Sequence, residues 1–296
     1  MKTDSIAIIG AGPSGTAAAI QLKRYGFDSI ILEKGELGGL LRNANLIENY
    51  PGFPDGISGP RLVALFQSQL ERASIKIFSE RVSSLAFEGK RFVLKSDKRI
   101  LHPQIVVVAS GTKPIEFLAF NIPDKAKNRV YYEIAPILEA EGKQIAVVGA
   151  GDAAFDYALN LSRNNQVTIL NRKKTIDCLP LLWQRASFLK AISYYENTEI
   201  LGITDLPSGD ICIECMRQGE ISTIQTHYLV FAIGREPRLD FMSDQLKDRV
   251  KDLEQEGLIY FVGDVKNGDF RQTAIAIGDG LMAAMKIYSR RSIFYN

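Results

Sequence analysis

The stretch Ile6-Ala7-Ile8-Ile9-Gly10-Ala11-Gly12-Pro13-Ser14-Gly15 decides the fold of this chain. Its apolar half predicts a buried parallel strand, and the helix-forming residues at 16–22 predict a helix directly after the glycines. In that setting Gly10 permits the tight turn, Gly12 lets the backbone approach a pyrophosphate, and Gly15 lets helix and strand pack closely. The amides and dipole at the start of such a helix hold phosphate groups. The stretch therefore predicts a βαβ unit that binds a dinucleotide.

An acid follows this fingerprint at the expected distance. A second predicted strand, at residues 30–32, ends in Glu33, roughly 20 residues beyond the glycines. A carboxylate at this place hydrogen-bonds an adenosine ribose and repels a 2'-phosphate. The first site therefore suits FAD or NAD rather than NADP.

The stretch Ile145-Ala146-Val147-Val148-Gly149-Ala150-Gly151-Asp152-Ala153-Ala154 repeats the arrangement later in the chain. The next predicted strand, at residues 167–170, ends in Asn171-Arg172-Lys173-Lys174 and carries no acid. Cations near the ribose 2'-position neutralise a phosphate, which favours NADP. A solvated basic turn is the alternative interpretation of the same residues. The second fingerprint therefore predicts NADPH, with NADH possible.

Composition limits the remaining function classes. The chain has 296 residues and a net charge of +2, which suit two domains and indicate no nucleic-acid or membrane partner. No run of about 18 apolar residues predicts a membrane span. The first strand leaves no room for a secretory signal, and the 3 cysteines form no disulfide framework. We therefore expect a cytoplasmic protein.

One cysteine pair has the spacing of a redox motif. Cys212-Ile213-Glu214-Cys215 lies within a predicted strand, where residues three apart point to opposite faces. Redox dithiols usually lie at the start of a helix, where the dipole lowers the thiol pKa. We therefore expect no dithiol there. Cys178, His102 and His227 lack the spacing of metal ligands, so no metal site is predicted.

The order of predicted elements indicates an α/β protein with two Rossmann-like, three-layer domains that bind FAD and NAD(P). The strands at 105–108 and 229–233 end alike, in a small residue and a glycine, which indicates duplicated architecture. The second domain is predicted to be inserted in the first. The predicted boundaries are 1–114 and 238–296 for the FAD-binding domain and 115–237 for the NAD(P)-binding domain.

Three segments resemble the flavin-binding segments of low-molecular-weight thioredoxin reductase-like flavoproteins, in the same order over nearly the whole chain. They are Gly38-Gly39-Leu40-Leu41, residues 48–54, and Gly263-Asp264 with Arg271-Gln272. The resemblance implies an FAD-dependent NAD(P)H oxidoreductase that forms a homodimer. With the first fingerprint, it implies these FAD residues: Gly10, Gly12, Pro13, Ser14, Gly15, Glu33, Lys34, Gly39, Leu40, Leu41, Asn49, Val82, Ala109, Gly111, Gly263, Asp264, Arg271, Gln272 and Thr273. The corresponding NAD(P) residues are Gly149, Gly151, Asp152, Ala153, Ala154, Arg172, Lys173, Ile233 and Gly234.

The resemblance also implies individual roles around the flavin. Glu33 holds the ribose, Asn49 lies near the isoalloxazine, and Asp264 binds the ribityl chain. Gln272 and Thr273 begin a helix that points at the flavin pyrimidine, where a helix start stabilises the anionic reduced form. Farther along this predicted helix, Gly278 and Gly280 lower helix propensity and so predict close packing, with a partner subunit as one candidate neighbour.

The chain departs from thioredoxin reductases where their redox dithiol lies, just before the second fingerprint. Tyr132 and Ala135 stand at the two cysteine positions, and neither side chain forms a disulfide. In this the chain is similar to thioredoxin-reductase-type ferredoxin/flavodoxin–NADP reductases, which pass electrons from flavin to a one-electron carrier. The resemblance implies ferredoxin or flavodoxin as partner. Arg42 and Arg290-Arg291 are candidates for docking an acidic carrier, and Phe294 or Tyr295 for stacking on the flavin.

Two other functions remain open. NADPH-specific relatives carry His-Arg-Arg and a further arginine four residues on, where this chain has Asn171-Arg172-Lys173 and Asp177. A flavoprotein that does not use NADPH, fed by ferredoxin or acting as a regulatory subunit, is therefore one alternative. Some dithiol-free relatives reduce small disulfides through a cysteine in the first glycine loop, where Ser14 stands here. Flavin-only reduction of small disulfides is the other alternative.

Overall fold

The computed structural model describes residues 6–290 and shows strands and helices distributed along the chain. The strands are β1 (Ile6–Ile9), β2 (Ile30–Glu33), β3 (Ile77–Ser79), β4 (Val82–Glu88), β5 (Arg91–Ser96), β6 (Ile100–Leu101), β7 (Ile105–Val108), β8 (Thr112–Pro114), β9 (Val130–Tyr131), β10 (Gln144–Val148), β11 (Gln166–Leu170), β12 (Ile192–Tyr195), β13 (Thr198–Asp205), β14 (Ile211–Arg217), β15 (Glu220–Thr226), β16 (Tyr228–Phe231), β17 (Arg235–Pro237) and β18 (Ile259–Phe261). The helices are α1 (Pro13–Arg24), α2 (Gly59–Arg72), α3 (Asp152–Leu161), α4 (Pro180–Phe188), α5 (Asp244–Asp248), α6 (Val250–Glu256) and α7 (Thr273–Ser289).

The chain divides into two compact units. The first comprises Met1–Arg42, Ile47–Lys113 and Glu236–Asn296, and the second comprises Asn43–Leu46 and Pro114–Arg235. The short segment Asn43–Leu46 packs with the second unit, although the chain on either side of it belongs to the first. No feature of the sequence predicted that this segment belongs to the second unit.

The first unit is built on a five-stranded sheet in the order β18-β7-β1-β2-β3, and all its pairs are parallel. Strands β1 and β7 are buried along their whole length, because both faces of the sheet are covered. On one face, Ile8 and Val107 pack with Leu22 of α1 and Ile287 of α7. On the other face, apolar residues of the antiparallel sheet β4-β5-β6 complete a second core layer.

The second unit repeats this plan with the parallel order β12-β11-β10-β16-β9. Helices α3 and α4 cover one face, where Phe155 and Ala186 pack with Val147 and Ile169. The antiparallel sheet β13-β14-β15 covers the other face through Ile211 and its neighbours. Strands β8 and β17 form a separate two-stranded ladder. The predicted fold class, α/β with parallel sheets flanked by helices, is confirmed.

The two glycines of α7 behave differently from each other. Gly278 is exposed, and a Cβ added there would meet nothing within 4 Å among the described residues, so packing of this glycine against a partner subunit stays a prediction. Gly280 is buried, and its added Cβ would lie 2.1 Å from the carbonyl oxygen of Ser14. The neighbour that requires this glycine is thus α1 of the same chain. None of the helices among residues 6–290 is long and apolar enough to cross a membrane.

Candidate functional site

The first glycine turn has the geometry that its sequence predicts. Gly10 has a φ of +104°, and a Cβ there would lie 2.3 Å from the carbonyl oxygen of Ala109. A Cβ on Gly15 would lie 2.0 Å from the carbonyl oxygen of Gly10. At Gly12, by contrast, a Cβ would meet nothing within 4 Å. The turn therefore leaves open space at the start of α1, where a pyrophosphate approaches the backbone.

The Glu33 carboxylate lies beside this turn. Its Oε2 accepts a hydrogen bond from the Ala11 amide at 2.8 Å, and its Oε1 accepts one from the Gly35 amide at 2.9 Å. Gly39 borders the same space, because a Cβ on it would lie 3.7 Å from the Cα of Gly12. The acid and the second glycine segment thus flank the open side of the turn.

Segments from distant parts of the chain meet beside the first glycine turn and at the start of α7. The Asn49 Nδ2 donates to the Gln272 Oε1 at 2.8 Å, and Gln272 directly precedes α7. The Ser14 hydroxyl donates to the Val262 carbonyl at 3.3 Å. Gly263 has a φ of +75°, and its added Cβ would lie 2.6 Å from the Ser14 Oγ. Folding therefore joins the glycine turn to the segments around residues 49 and 263–273.

The other residues predicted to bind FAD lie in the first unit, at strand ends, at helix starts or in the turns between them. They are Pro13, Lys34, Leu40, Leu41, Val82, Ala109, Gly111, Asp264, Arg271 and Thr273. Leu41 is buried, whereas Lys34 is exposed. The open backbone at Gly12, the adjacent acid and the start of α7 fit a dinucleotide such as FAD.

The second glycine turn reproduces the first. Gly149 has a φ of +134°, and its added Cβ would lie 2.4 Å from the carbonyl oxygen of Ala232. A Cβ on Gly151 would meet nothing within 4 Å, and Asp152 and Ala153 are exposed, which leaves the start of α3 open to phosphate, whereas Ala154 is buried in the core. Ile233 and Gly234 follow β16, and the Gly234 carbonyl accepts from the Ile115 amide at 3.0 Å.

The loop after β11 is organised by Asn171. This side chain is buried, and its Nδ2 donates to the Thr175 carbonyl and to the Tyr194 hydroxyl, each at 2.8 Å. Its Oδ1 accepts from the Lys173 amide at 3.0 Å. Asn171 is thus occupied inside the loop, while the Arg172 and Lys173 side chains are exposed.

The loop after β11 also brings an acid, Asp177, next to the second glycine turn. The Asp177 amide donates to the Ala150 carbonyl at 3.0 Å, and the Asp152 Oδ1 accepts from the Leu179 amide at 2.7 Å. The Asp177 carboxylate lies 3.9 Å from the Lys173 ammonium. Lys173, one of the two cations predicted to bind NAD(P), therefore has an anionic neighbour.

Tyr132 and Ala135, which were predicted to stand at the positions of a dithiol, are part of the packing of the second unit. The Tyr132 hydroxyl accepts from the Phe117 amide at 2.9 Å, and its ring stacks on Phe231 with centroids 5.6 Å apart. The Ala135 amide donates to the Asn43 Oδ1 at 2.8 Å. Both residues therefore have a packing role in the second unit.

The cysteines lie apart from these positions. Cys212 and Cys215 are on β14, where buried residues alternate with more exposed ones, so the two side chains point to opposite faces as predicted. Cys215 is buried with its Sγ 3.3 Å from the Ser222 hydroxyl. Burial, assisted by nearby Asp152, raises the pKa of the Cys178 thiol. Among residues 6–290, no group of histidine, cysteine and acidic side chains is arranged to hold a metal.

Asp156, on α3, is a half-buried acid that no sequence motif singled out. The Asp156 Oδ2 accepts from the Asn45 amide at 3.0 Å, and the Arg163 guanidinium donates to the Asn45 Oδ1 at 2.6 Å. Desolvation by burial raises the pKa of Asp156 from 3.8 to about 6. The sequence signal is an acid flanked by the apolar residues Phe155 and Tyr157, both of which are buried.

The basic residues considered for docking have partners within the chain. Arg42 forms an ion pair with Glu36, and the Arg290 Nη1 donates to the Gln255 carbonyl at 2.8 Å. Arg291, Phe294 and Tyr295 lie outside the described residues.

Comparison with known proteins gives consistent matches. The family model for pyridine nucleotide-disulphide oxidoreductases matches residues 4–280. Thioredoxin reductase of Pneumocystis carinii is 30% identical over 318 residues, covering 95% of this chain and 93% of the relative. That of Chlamydia pneumoniae is 28% identical over 307 residues, covering 94% and 96%. The solved structure of Lactococcus lactis thioredoxin reductase superimposes with a TM-score of 0.83 at 26% identity, covering 96% of this chain and 98% of that one.

Proposed function

Because the chain belongs to the pyridine nucleotide-disulphide oxidoreductase family, we propose that it passes electrons from NADPH through FAD to a one-electron carrier such as ferredoxin or flavodoxin. Family membership confirms the coarser predictions: the chain is a thioredoxin reductase-like, FAD-dependent oxidoreductase, and its cofactors are FAD and NADPH. The finer proposal is that it works without a redox-active cysteine pair. It is also expected to form a homodimer.

The proposal assigns FAD to the first unit and NADPH to the second. Support for FAD comes from Glu33, whose carboxylate suits ribose hydroxyls and opposes a 2'-phosphate. Support for NADPH comes from the exposed Arg172 and Lys173 on the loop after β11. The chain's own residues bind and orient: the open turns at Gly12 and Gly151 receive pyrophosphates, and the start of α7 favours negative charge beside it. When bound, FAD supplies the redox chemistry between a hydride donor and the acceptor.

The observation that carries the carrier-protein proposal is the use made of Tyr132. A residue whose hydroxyl is bonded to the Phe117 amide and whose ring stacks on Phe231 has a packing role. Neither Tyr132 nor Ala135 can accept electrons as a dithiol does. We therefore expect electrons to leave the enzyme directly from the flavin. Transfer to thioredoxin in the manner of dithiol enzymes is then not expected.

Anaerobic flavin reduction tests the proposal first. The purified protein is mixed with NADPH and then with NADH, and bleaching is followed near about 450 nm, where oxidised flavin absorbs. Oxidised ferredoxin, flavodoxin or thioredoxin is then added separately to the reduced enzyme. We expect bleaching by NADPH and reoxidation by ferredoxin or flavodoxin.

A variant with all cysteines replaced, Cys178→Ser, Cys212→Ser and Cys215→Ala, is the matched control. It should bleach and deliver electrons as the parent protein does. Reduction of thioredoxin by the parent and not by this variant would overturn the proposal. If flavin is bound and dithionite reduces it but neither nucleotide does, the ferredoxin-fed or regulatory alternative replaces the proposed function.

A further inference from the structure

A single carboxylate on α7 fastens the turn that follows β18. The Asp279 Oδ2 accepts a hydrogen bond from the Gly263 amide at 3.0 Å and another from the Asn267 Nδ2 at 2.7 Å. Its Oδ1 lies 3.0 Å from the Lys266 ammonium. All these partners belong to the short segment 263–267, so Asp279 ties both ends of the segment to one point on the helix.

The Asp279 carboxylate is well placed to hold this segment rigidly. Its side chain is only 18% exposed, which limits competition from water. Hydrogen bonds from an amide to a carboxylate are roughly twice as strong as those between neutral groups. Gly263 is itself buried, with a φ of +75°. If the carboxylate were removed, water could not readily replace it as the hydrogen-bond acceptor of the Gly263 amide.

The fastened segment lies at a tight junction of the first unit. A Cβ on Gly263 would lie 2.6 Å from the Ser14 Oγ. A Cβ on Gly280, which follows Asp279 in α7, would lie 2.1 Å from the Ser14 carbonyl oxygen. The turn, α7 and the start of α1 therefore fit together with little freedom. Asp264, in the middle of the turn, is the residue assigned to the ribityl chain of the flavin.

We propose that Asp279 is a positioning residue for FAD. Through the Gly263 amide, Asn267 and Lys266, it fixes the turn that carries Asp264, the residue assigned to the cofactor. The inference rests on the proposed function in one respect, the assignment of FAD to the first unit. It adds a residue on α7 that neither fingerprint contains.

Two substitutions at Asp279 separate its effects. Asp279→Ala leaves the buried Gly263 amide without its acceptor and should weaken FAD binding about tenfold. Asp279→Asn retains the shape and one acceptor oxygen, but has one carbonyl oxygen for two donors and no charge for Lys266. It should weaken FAD binding about threefold.

The test measures FAD affinity and flavin potential in the full-length protein. FAD is removed, the apoprotein is titrated with FAD by fluorescence, and the midpoint potential of the reconstituted flavin is measured. We expect both variants to shift the potential, while the NADPH dissociation constant stays that of the parent. Asp269→Asn, an equal charge change at an exposed residue near the same turn, should leave both FAD readouts unchanged.

The outcomes are distinguishable. Parental FAD affinity and potential in Asp279→Asn would overturn the inference, even if Asp279→Ala does not fold. Equal loss of FAD and NADPH affinity would also overturn it, because that result indicates a general defect in folding. If the parent protein itself takes up no FAD, the assignment made under the proposed function fails instead.

Discussion

The two glycine turns of this molecule share the backbone hydrogen bonds that join them to the neighbouring strands, yet the residues just beyond them differ. The Gly10 amide donates to the Leu32 carbonyl at 2.8 Å, and the Gly149 amide donates to the Leu170 carbonyl at 3.0 Å. The neighbouring strands end in the same way, with the Ala109 amide bonded to the Ile9 carbonyl and the Ala232 amide to the Val148 carbonyl. The glycines and the strand ends thus give the two turns the same backbone pattern.

The residues that follow the matched leucines, Glu33 and Asn171, distinguish the two turns. Glu33 keeps its carboxylate beside the glycine turn, bonded to the Ala11 amide. Asn171 is buried and turns its amide into its own loop, toward Thr175 and Tyr194. One turn thus has an acid beside it, whereas the other uses the same position to shape a loop that carries basic residues. Under the proposed function, we expect nucleotide choice to depend on these side chains rather than on the common backbone.

The largest expected effect comes from exchanging the third small residue of each fingerprint. A Cβ on Gly15 would lie 2.0 Å from the Gly10 carbonyl oxygen, whereas the second turn already accommodates Ala154. Gly15→Ala should lower the free energy of unfolding by about 3 kcal/mol and release FAD. Ala154→Gly should cost about 1 kcal/mol, from helix propensity. Denaturant unfolding followed by flavin fluorescence and circular dichroism measures both. Equal small losses would show that the two turns tolerate the same residues.

The next effect concerns the helices that follow the two turns. Asp156 of α3 occupies the position that corresponds to Ala17 in α1. Its pKa is raised by burial to about 6, so the folded state favours the uncharged form. The resulting stability is fully present below about pH 3.8 and is lost as the pH rises through about 6. Asp156→Asn keeps an acceptor for the Asn45 amide and removes the charge.

At pH 7 this variant should therefore be more stable than the parent by about 2 kcal/mol, with the difference shrinking toward zero at pH 4. The measurement is the difference in free energy of unfolding between the two proteins at a series of pH values. A difference that does not change with pH would contradict the burial of a charge at this position.

The acid of the first turn gives a smaller effect. Glu33→Ala removes the acceptor of the Ala11 and Gly35 amides as well as the group proposed to bind the ribose. The dissociation constant for FAD should rise about tenfold. Glu36→Ala removes a nearby acid whose side chain is 68% exposed and paired with Arg42, and it serves as the control. Matching losses in the two variants would mean that general negative charge, rather than Glu33, matters.

The smallest effect tests the basic loop of the second turn. Asp177 lies 3.9 Å from Lys173 in an exposed pair, so its removal frees one cation for the 2'-phosphate. Asp177→Asn should lower KM for NADPH about threefold and leave KM for NADH unchanged. Arg172→Ala should change KM for NADPH in the opposite direction. Steady-state kinetics with both nucleotides checks these signs, and a parallel change for NADH would remove the 2'-phosphate from the explanation.

The sequence predicted the features that depend on local pattern. Apolar runs gave β1 and β10, and the glycine spacing gave both turns, because these elements are determined by residues close together in the chain. Contacts between distant segments were not predictable in the same way. The packing of Gly280 on Ser14 and the bond between Asp279 and Gly263 appear only when the last helix is placed against the first. Asn171 looked like a lost phosphate ligand, and only the fold shows that its amide is used inside the loop.

The return of the chain to the first sheet has a consequence for how the protein is made. Strand β18 pairs with β7, with Ile259 opposite Val106, and α7 then crosses α1 at Gly280. The second unit lies between these partners in the sequence, and its separate segment Asn43–Leu46 comes earlier still. All of the second unit therefore leaves the ribosome before the first unit can close. During synthesis the glycine turn at residues 10–15 must wait for α7, and the FAD site assigned to it is completed last.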